Sequence, residues 1–180
     1  SLTPQLRIPF MITSMIIAVP TGIKMFSWLG TLWGGKIRFN SAMLFGLGFL
    51  SMFVIGGIGG VMLAAIPFDI QVHDTYFVVS HLHFVLFGGS VFTIYAGIYH
   101  WYPKITGRML NERWGKIHFW LTYPSFFLTF FPMNIAGMMG MPRRVAIYLP
   151  EFQGINTIIS LAAFVLGIST FVLLVNMVVS

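Results

Sequence analysis

His73-Asp74-Thr75-Tyr76-Phe77-Val78-Val79-Ser80-His81-Leu82-His83 gathers three of the chain's five histidines into one apolar stretch. A helix turns about 100° per residue, so His81 and His83 lie about 200° apart and cannot chelate one metal. They can serve two partners on opposite sides of the helix. Haem iron takes an axial imidazole, and two haems flanking one helix would use this arrangement. The alternative is a pair of hydrogen-bonded packing histidines; two within three residues of a nearly unbroken apolar run favour ligation. His73 lies eight residues before His81, about 12 Å along a continued helix. With Asp74 it would stand at the mouth of the span. A carboxylate beside an imidazole suits a hydrated divalent cation completed by ligands from elsewhere. Asp74 is equally well explained as a helix N-cap.

Two further features could carry chemistry, and two others resemble functional motifs without carrying them. Arg143-Arg144 is a guanidinium pair that would bind anions such as the propionates of a haem, or stand as solvated loop charge. Lys24, in Pro20-Thr21-Gly22-Ile23-Lys24, lies about 12 Å from the end of its apolar run, too deep for easy snorkelling. A cation there marks a polar cavity or proton path, and Thr21 one turn back shares its face. The alternative is an interfacial lysine. Gly30-Thr-Leu-Trp-Gly-Gly-Lys36-Ile37 misses the phosphate-loop pattern, because Ile37 replaces the metal-binding hydroxyl and no strand precedes it. Gly56-Gly57-Ile58-Gly59-Gly60 is read as a close-packing face of a helix.

The elements that must hold these residues follow from composition. Of 180 residues 57% are hydrophobic and 8% charged, and the mean hydropathy is +0.88. A soluble core of this size could not hide so much apolar surface. With no cysteine, disulfides, zinc-thiolate sites and iron–sulfur clusters are excluded. The net charge of +6 is scattered over loops without aromatic interleaving, which argues against nucleic acid. Five apolar runs are long enough to cross a bilayer: roughly 10–32, 41–65, 74–102, 114–131 and 156–180. The expectation is one all-α transmembrane domain over 1–180, a polytopic bundle of about five spans. Lys36, Arg38, Lys104, Arg108, Arg113 and Lys116 fall in loops on one side, read as the inside; Trp28, Trp33, Trp101 and Trp114 lie near the inner span ends. Arg7, Asp69, His73, Asp74, Arg143, Arg144 and Glu151 fall outside. The chain opens Ser-Leu-Thr-Pro and stops within an apolar run, so it is read as a piece of a longer protein.

HDTYFVVSHLHFVL, PTGIKMFSW, LNERWGKIHFW and GMPRR together resemble subunit I of the haem-copper oxidases, over nearly the whole chain and in order. The resemblance implies helices eight to twelve of a twelve-helix fold. By position, it makes His81 the proximal ligand of a high-spin, oxygen-reducing haem and His83 an axial ligand of a low-spin haem. It makes His73 and Asp74 ligands of a magnesium or manganese ion. Asp69, Arg143 and Arg144 become a propionate network, and Lys24 and Thr21 members of a proton channel. The lysine favours the A-type branch. Asp74, where quinol oxidases usually have Asn, favours cytochrome c as donor.

The implied activity is that of a terminal respiratory oxidase: electrons pass through a low-spin haem to a high-spin haem and copper, where oxygen becomes water, coupled to proton pumping. The copper ligands and the second low-spin ligand would lie upstream, so this stretch alone would be inactive. Implied partners are that upstream part, subunits II and III, cytochrome c, oxygen and membrane lipid. The implied location is a bacterial plasma membrane, with the mitochondrial inner membrane or thylakoid as alternatives. A quinol oxidase of the same superfamily, a membrane transporter or a scaffold subunit are the competing readings. Departures from the family pattern are Ser80 where Ala is common, Asn134 where His is common, and Ile8-Pro9-Phe10 after Arg7.

Overall fold

A computed structural model describes residues 3–180. The fold is all-α: α1 (Pro4–Ile16), α2 (Ala18–Leu32), α3 (Ser41–Ala64), α4 (Ile66–Val72), α5 (Tyr76–Leu86), α6 (Phe92–Thr106), α7 (Glu112–Met138) and α8 (Gln153–Val179). A five-residue π turn, Phe87–Val91, joins α5 to α6 as one rod, and a short 3-10 turn, Pro150–Phe152, leads into α8. Among the described residues the only bridge pairing is antiparallel, Thr75 with Pro142.

Among the described residues, four segments are long and apolar enough to cross a membrane: Pro4–Leu32, Ser41–Ala64, Tyr76–Thr106 and Pro150–Val179. The expected fourth run instead becomes α7, as long as α8 at 27 residues but less apolar. Its inner face mixes polar with aromatic residues: His118, Thr122, Ser125 and Thr129 are buried beside Phe119, Phe126 and Phe130. The Thr122 hydroxyl donates to His118 O at 2.7 Å and the Thr129 hydroxyl to Ser125 O at 2.6 Å. Ser125 bonds back to Leu121 O. These hydroxyls are satisfied within their own helix, so this face of α7 can be buried against its neighbours although the helix is less apolar than α8.

The first expected run starts six residues earlier, at Pro4, and is interrupted at Ile17. Pro20 has no N–H for the carbonyl of Ile16, four residues back, which accounts for the break. The α3 start is capped by the Asn40 side chain, which accepts from Met43 N at 2.9 Å.

The two ends of the bundle are tied separately. At one end the Glu112 carboxylate accepts from Ser41 N at 2.9 Å and Ser41 Oγ at 2.8 Å, joining the starts of α7 and α3. Asn176 of α8 exchanges two 3.2 Å bonds with the Asn111 backbone at the same end. At the other end Tyr76 N donates to Met141 O at 3.1 Å. The basic loops 33–40 and 107–111 therefore share an end, opposite to Asp74 and Arg143, as the alternating path requires.

Between the ends lies an aromatic core. Phe45 of α3 is fully buried and meets Tyr99 face to face at 5.6 Å, His118 at 4.9 Å and Phe119 edge-on at 5.2 Å. Phe84 of α5 meets Phe126 of α7 edge-on at 5.3 Å. Helices α5 and α7 approach closely at Gly137, where an added Cβ would lie 2.1 Å from Phe77 N. Large apolar side chains such as Phe26, Phe164 and Phe171 remain exposed on the outside of the bundle, a surface suited to lipid or further apolar protein.

Candidate functional site

An imidazole offers one nitrogen to a metal only if the proton on the other is held elsewhere. Both histidines of α5 meet this condition. His81 Nδ1 donates to Gly56 O of α3 at 2.8 Å. His83 Nδ1 donates to Val79 O of its own helix, also at 2.8 Å. A carbonyl only accepts, so the tautomer is set in each ring and Nε2 keeps its lone pair. The rings are also held by different helices. His81 lies against α3, where a Cβ on Gly60 would come within 2.7 Å of its Cε1. His83 lies toward α7, stacked on Phe130 with centroids 4.3 Å apart and planes 14° from parallel. The expected opposition of the two side chains is thus built by two flanking helices.

The outer group is organised by a turn. His73 caps the C-terminus of α4, and Thr75 caps α5, its hydroxyl accepting from Phe77 N at 3.3 Å. The helical rise from His73 to His81 is therefore interrupted, and Asp74 is not the N-cap. Asp74 instead takes a left-handed backbone, φ 59°, rare for a residue with a Cβ. That conformation turns its main chain toward the loop after α7: Arg143 N donates to Asp74 O at 2.9 Å. The Arg143 guanidinium donates through Nη2 to Asp74 Oδ1. His73 Nδ1 lies 3.5 Å from Asp69 Oδ2, and its Nε2 lies 3.6 Å from Asp74 Oδ2. Asp69, His73, Asp74 and Arg143 form one chain of contacts. Arg143 Nε is buried and has no hydrogen-bond partner among the described residues. Arg144, also at positive φ (61°), is exposed. Among the described residues no three His, Asp or Glu side chains converge on a metal position.

Lys24 and Thr21 stand apart from both groups. They lie on α2, whose one buried residue is Met25. The Thr21 hydroxyl donates to Ile17 O at 3.1 Å, and Lys24 is exposed. His118 is the buried counterpart at the opposite end of the bundle from Asp74: Tyr99 OH meets its Nδ1 at 3.0 Å and its Nε2 has no partner among the described residues. Sequence reasoning missed Gly56 and Phe130. The spacing of the glycines on α3 signalled close packing but not that a histidine would be the packed group. Nothing in the order of residues marked Phe130 as the neighbour of His83.

Long apolar helices packed side by side, with imidazoles on one span, define an integral membrane protein of the helical-bundle class. The chain belongs to the cytochrome c and quinol oxidase polypeptide I family, whose description matches residues 1–165. It is 61% identical over 171 residues to cytochrome c oxidase subunit 1 of Synechocystis sp., covering 95% of this chain and 31% of that protein. It is 58% identical over 175 residues to the subunit of the same name from Thermostichus vulcanus, covering 97% of this chain and 32% of the other. The chain thus spans about a third of the length of these curated relatives. A haem-copper terminal oxidase dimer solved by electron cryo-microscopy has the same fold, with a TM-score of 0.83 at 18% identity, over 99% of this chain and 37% of the other.

Proposed function

We propose that this chain is the haem-ligating part of the catalytic subunit of a haem-copper terminal oxidase that takes electrons from cytochrome c. The observation that carries this is the pair His81 and His83. Their Nδ1 protons are held by Gly56 O and Val79 O, leaving two Nε2 lone pairs on rings packed against different helices. These residues fit haem iron, which binds a neutral imidazole through one nitrogen while the other donates. When bound, two haems, with copper held by residues upstream, supply one-electron transfer and the reduction of oxygen to water.

The chain's own residues do the rest. Gly56 and Val79 orient the two rings. Arg143 neutralises Asp74 and keeps a buried Nε available to an anion such as a haem propionate, with Asp69 and Arg144 as further members of that group. His73 and Asp74 would contribute an imidazole and a carboxylate to a magnesium or manganese ion. Lys24 and Thr21 would pass protons from the inner side toward the high-spin haem. The partners in this reading are the upstream part of the same subunit, subunits II and III, cytochrome c and oxygen, in a bacterial plasma membrane. Relatives named cytochrome c oxidase subunit 1 support the donor.

The test is made in the intact oxidase. His81→Asn should abolish the high-spin haem signature and His83→Asn the low-spin signature, each leaving the other in place. Loss of the same haem in both variants, with the other untouched, would refute the assignment.

A further inference from the structure

Ser80 is fully buried. Its hydroxyl donates to Phe130 O of α7 at 2.6 Å. The ring of the same Phe130 lies parallel to the His83 imidazole at 4.3 Å. Ser80 and His83 are three residues apart, hence about 60° apart around α5 and one turn along it. One residue of α7 is therefore gripped twice by α5, through its carbonyl by Ser80 and through its ring by His83.

The two contacts differ in kind. The stack has no direction along the ring face and would allow α7 to slide or turn. The hydroxyl-to-carbonyl bond is directional and buried away from competing water. It fixes how far Phe130 stands from α5 and at what azimuth. The Val79 carbonyl holds one edge of the His83 ring, and Phe130 closes one face. Together they determine the plane of the imidazole. The plane of an axial imidazole relative to the macrocycle sets how its orbitals meet the iron, one of the means by which a protein tunes a haem.

We infer that Ser80 is a positioning residue for the His83 imidazole, acting through Phe130, so that its hydroxyl sets the ligand plane of the low-spin haem. This rests on the haem reading of His83 given above. Removing the hydroxyl frees Phe130 to shift and the imidazole to rotate. The high-spin haem, held by His81 against α3, is left as it was.

The experiment compares Ser80→Ala, Phe130→Leu and the double variant in the full oxidase complex, by electron paramagnetic resonance of the oxidised enzyme. Ser80→Ala should move or broaden the low-spin g-maximum beyond the linewidth of the unsubstituted enzyme, with the high-spin signal unmoved. Phe130→Leu should do the same, and the double variant should go no further than Phe130→Leu alone. Loss of the low-spin haem alone from Ser80→Ala carries the same meaning. An unchanged g-maximum in Ser80→Ala overturns the inference. So do shifts that add in the double variant, and so does loss of both haems together, which marks a packing role only. His83→Asn separates the two levels: a low-spin signal surviving that substitution removes the haem reading itself, whatever Ser80 does.

Discussion

Asp74 shows how one residue's backbone decides its side chain's business. At φ 59° it leaves the capping role to Thr75 and turns toward Arg143 and His73. A carboxylate has lone pairs enough for both partners: Arg143 takes Oδ1, and Oδ2 stands on the His73 side. Enzyme grown in manganese should give an electron paramagnetic resonance signal from a bound divalent ion, and Asp74→Ala should remove it. A signal unchanged by that substitution would leave Asp74 only as the partner of Arg143. The two α5 histidines make the complementary case. Their angular separation is a property of the helix and could be read from two residue numbers. The acceptors of their Nδ1 protons differ in legibility: Val79 lies one turn back in the same helix, while Gly56 comes from α3, twenty-five residues away, and depends on helix register.

Between elements, glycine sets how closely α5 and α7 approach. Gly137→Ala would place a methyl 2.1 Å from Phe77 N. Backbone cannot yield as a side-chain tip does, so the cost should exceed the roughly 1–3 kcal/mol of ordinary overpacking. The expected result is a lower melting temperature of the detergent-solubilised complex and a weakened low-spin haem signature. Gly167→Ala on α8, with nothing within 4 Å, should leave both unchanged. Equal melting of the two variants would show that α5 and α7 can part without cost. Apolar length was enough to read α3 and α8 from sequence, because an uncharged run as long as a bilayer is thick seldom serves any purpose but crossing one. The apolar run 114–131 stops seven residues short of the far end of α7, which continues to Met138 through Pro132 and Asn134. α4 went unread because seven residues starting at a proline-containing turn carry too little periodicity. The Ser80–Phe130–His83 arrangement was unreadable for a different reason: it depends on the register of α5 against α7, which no single-helix period contains.

Across the whole molecule the chemistry divides between two bodies. α3 and α5 to α8 form a bundle around aromatic rings, while α1 and α2 lie along its side with Met25 their only buried residue. Lys24 belongs to the second body, so replacing it should leave the histidine-bearing bundle intact. Lys24→Met keeps length and apolar character while removing the titratable group. Haem spectra should stay near those of the unsubstituted oxidase. Reduction of the high-spin haem should slow by orders of magnitude, because an electron entering a low-dielectric site needs a compensating proton. Full haem content with normal turnover would return Lys24 to an interfacial lysine. The break at Ile17 bears on what that side of the molecule can touch. Pro20 withholds a donor from the carbonyl of Ile16, midway along a 29-residue span. Hydrocarbon chains cannot supply the missing donor, and a peptide carbonyl left bare among them costs several kcal/mol. Wherever the backbone does not re-satisfy that carbonyl locally, the flank of α1 and α2 one turn above Thr21 and two above Lys24 should favour water or another helix over lipid.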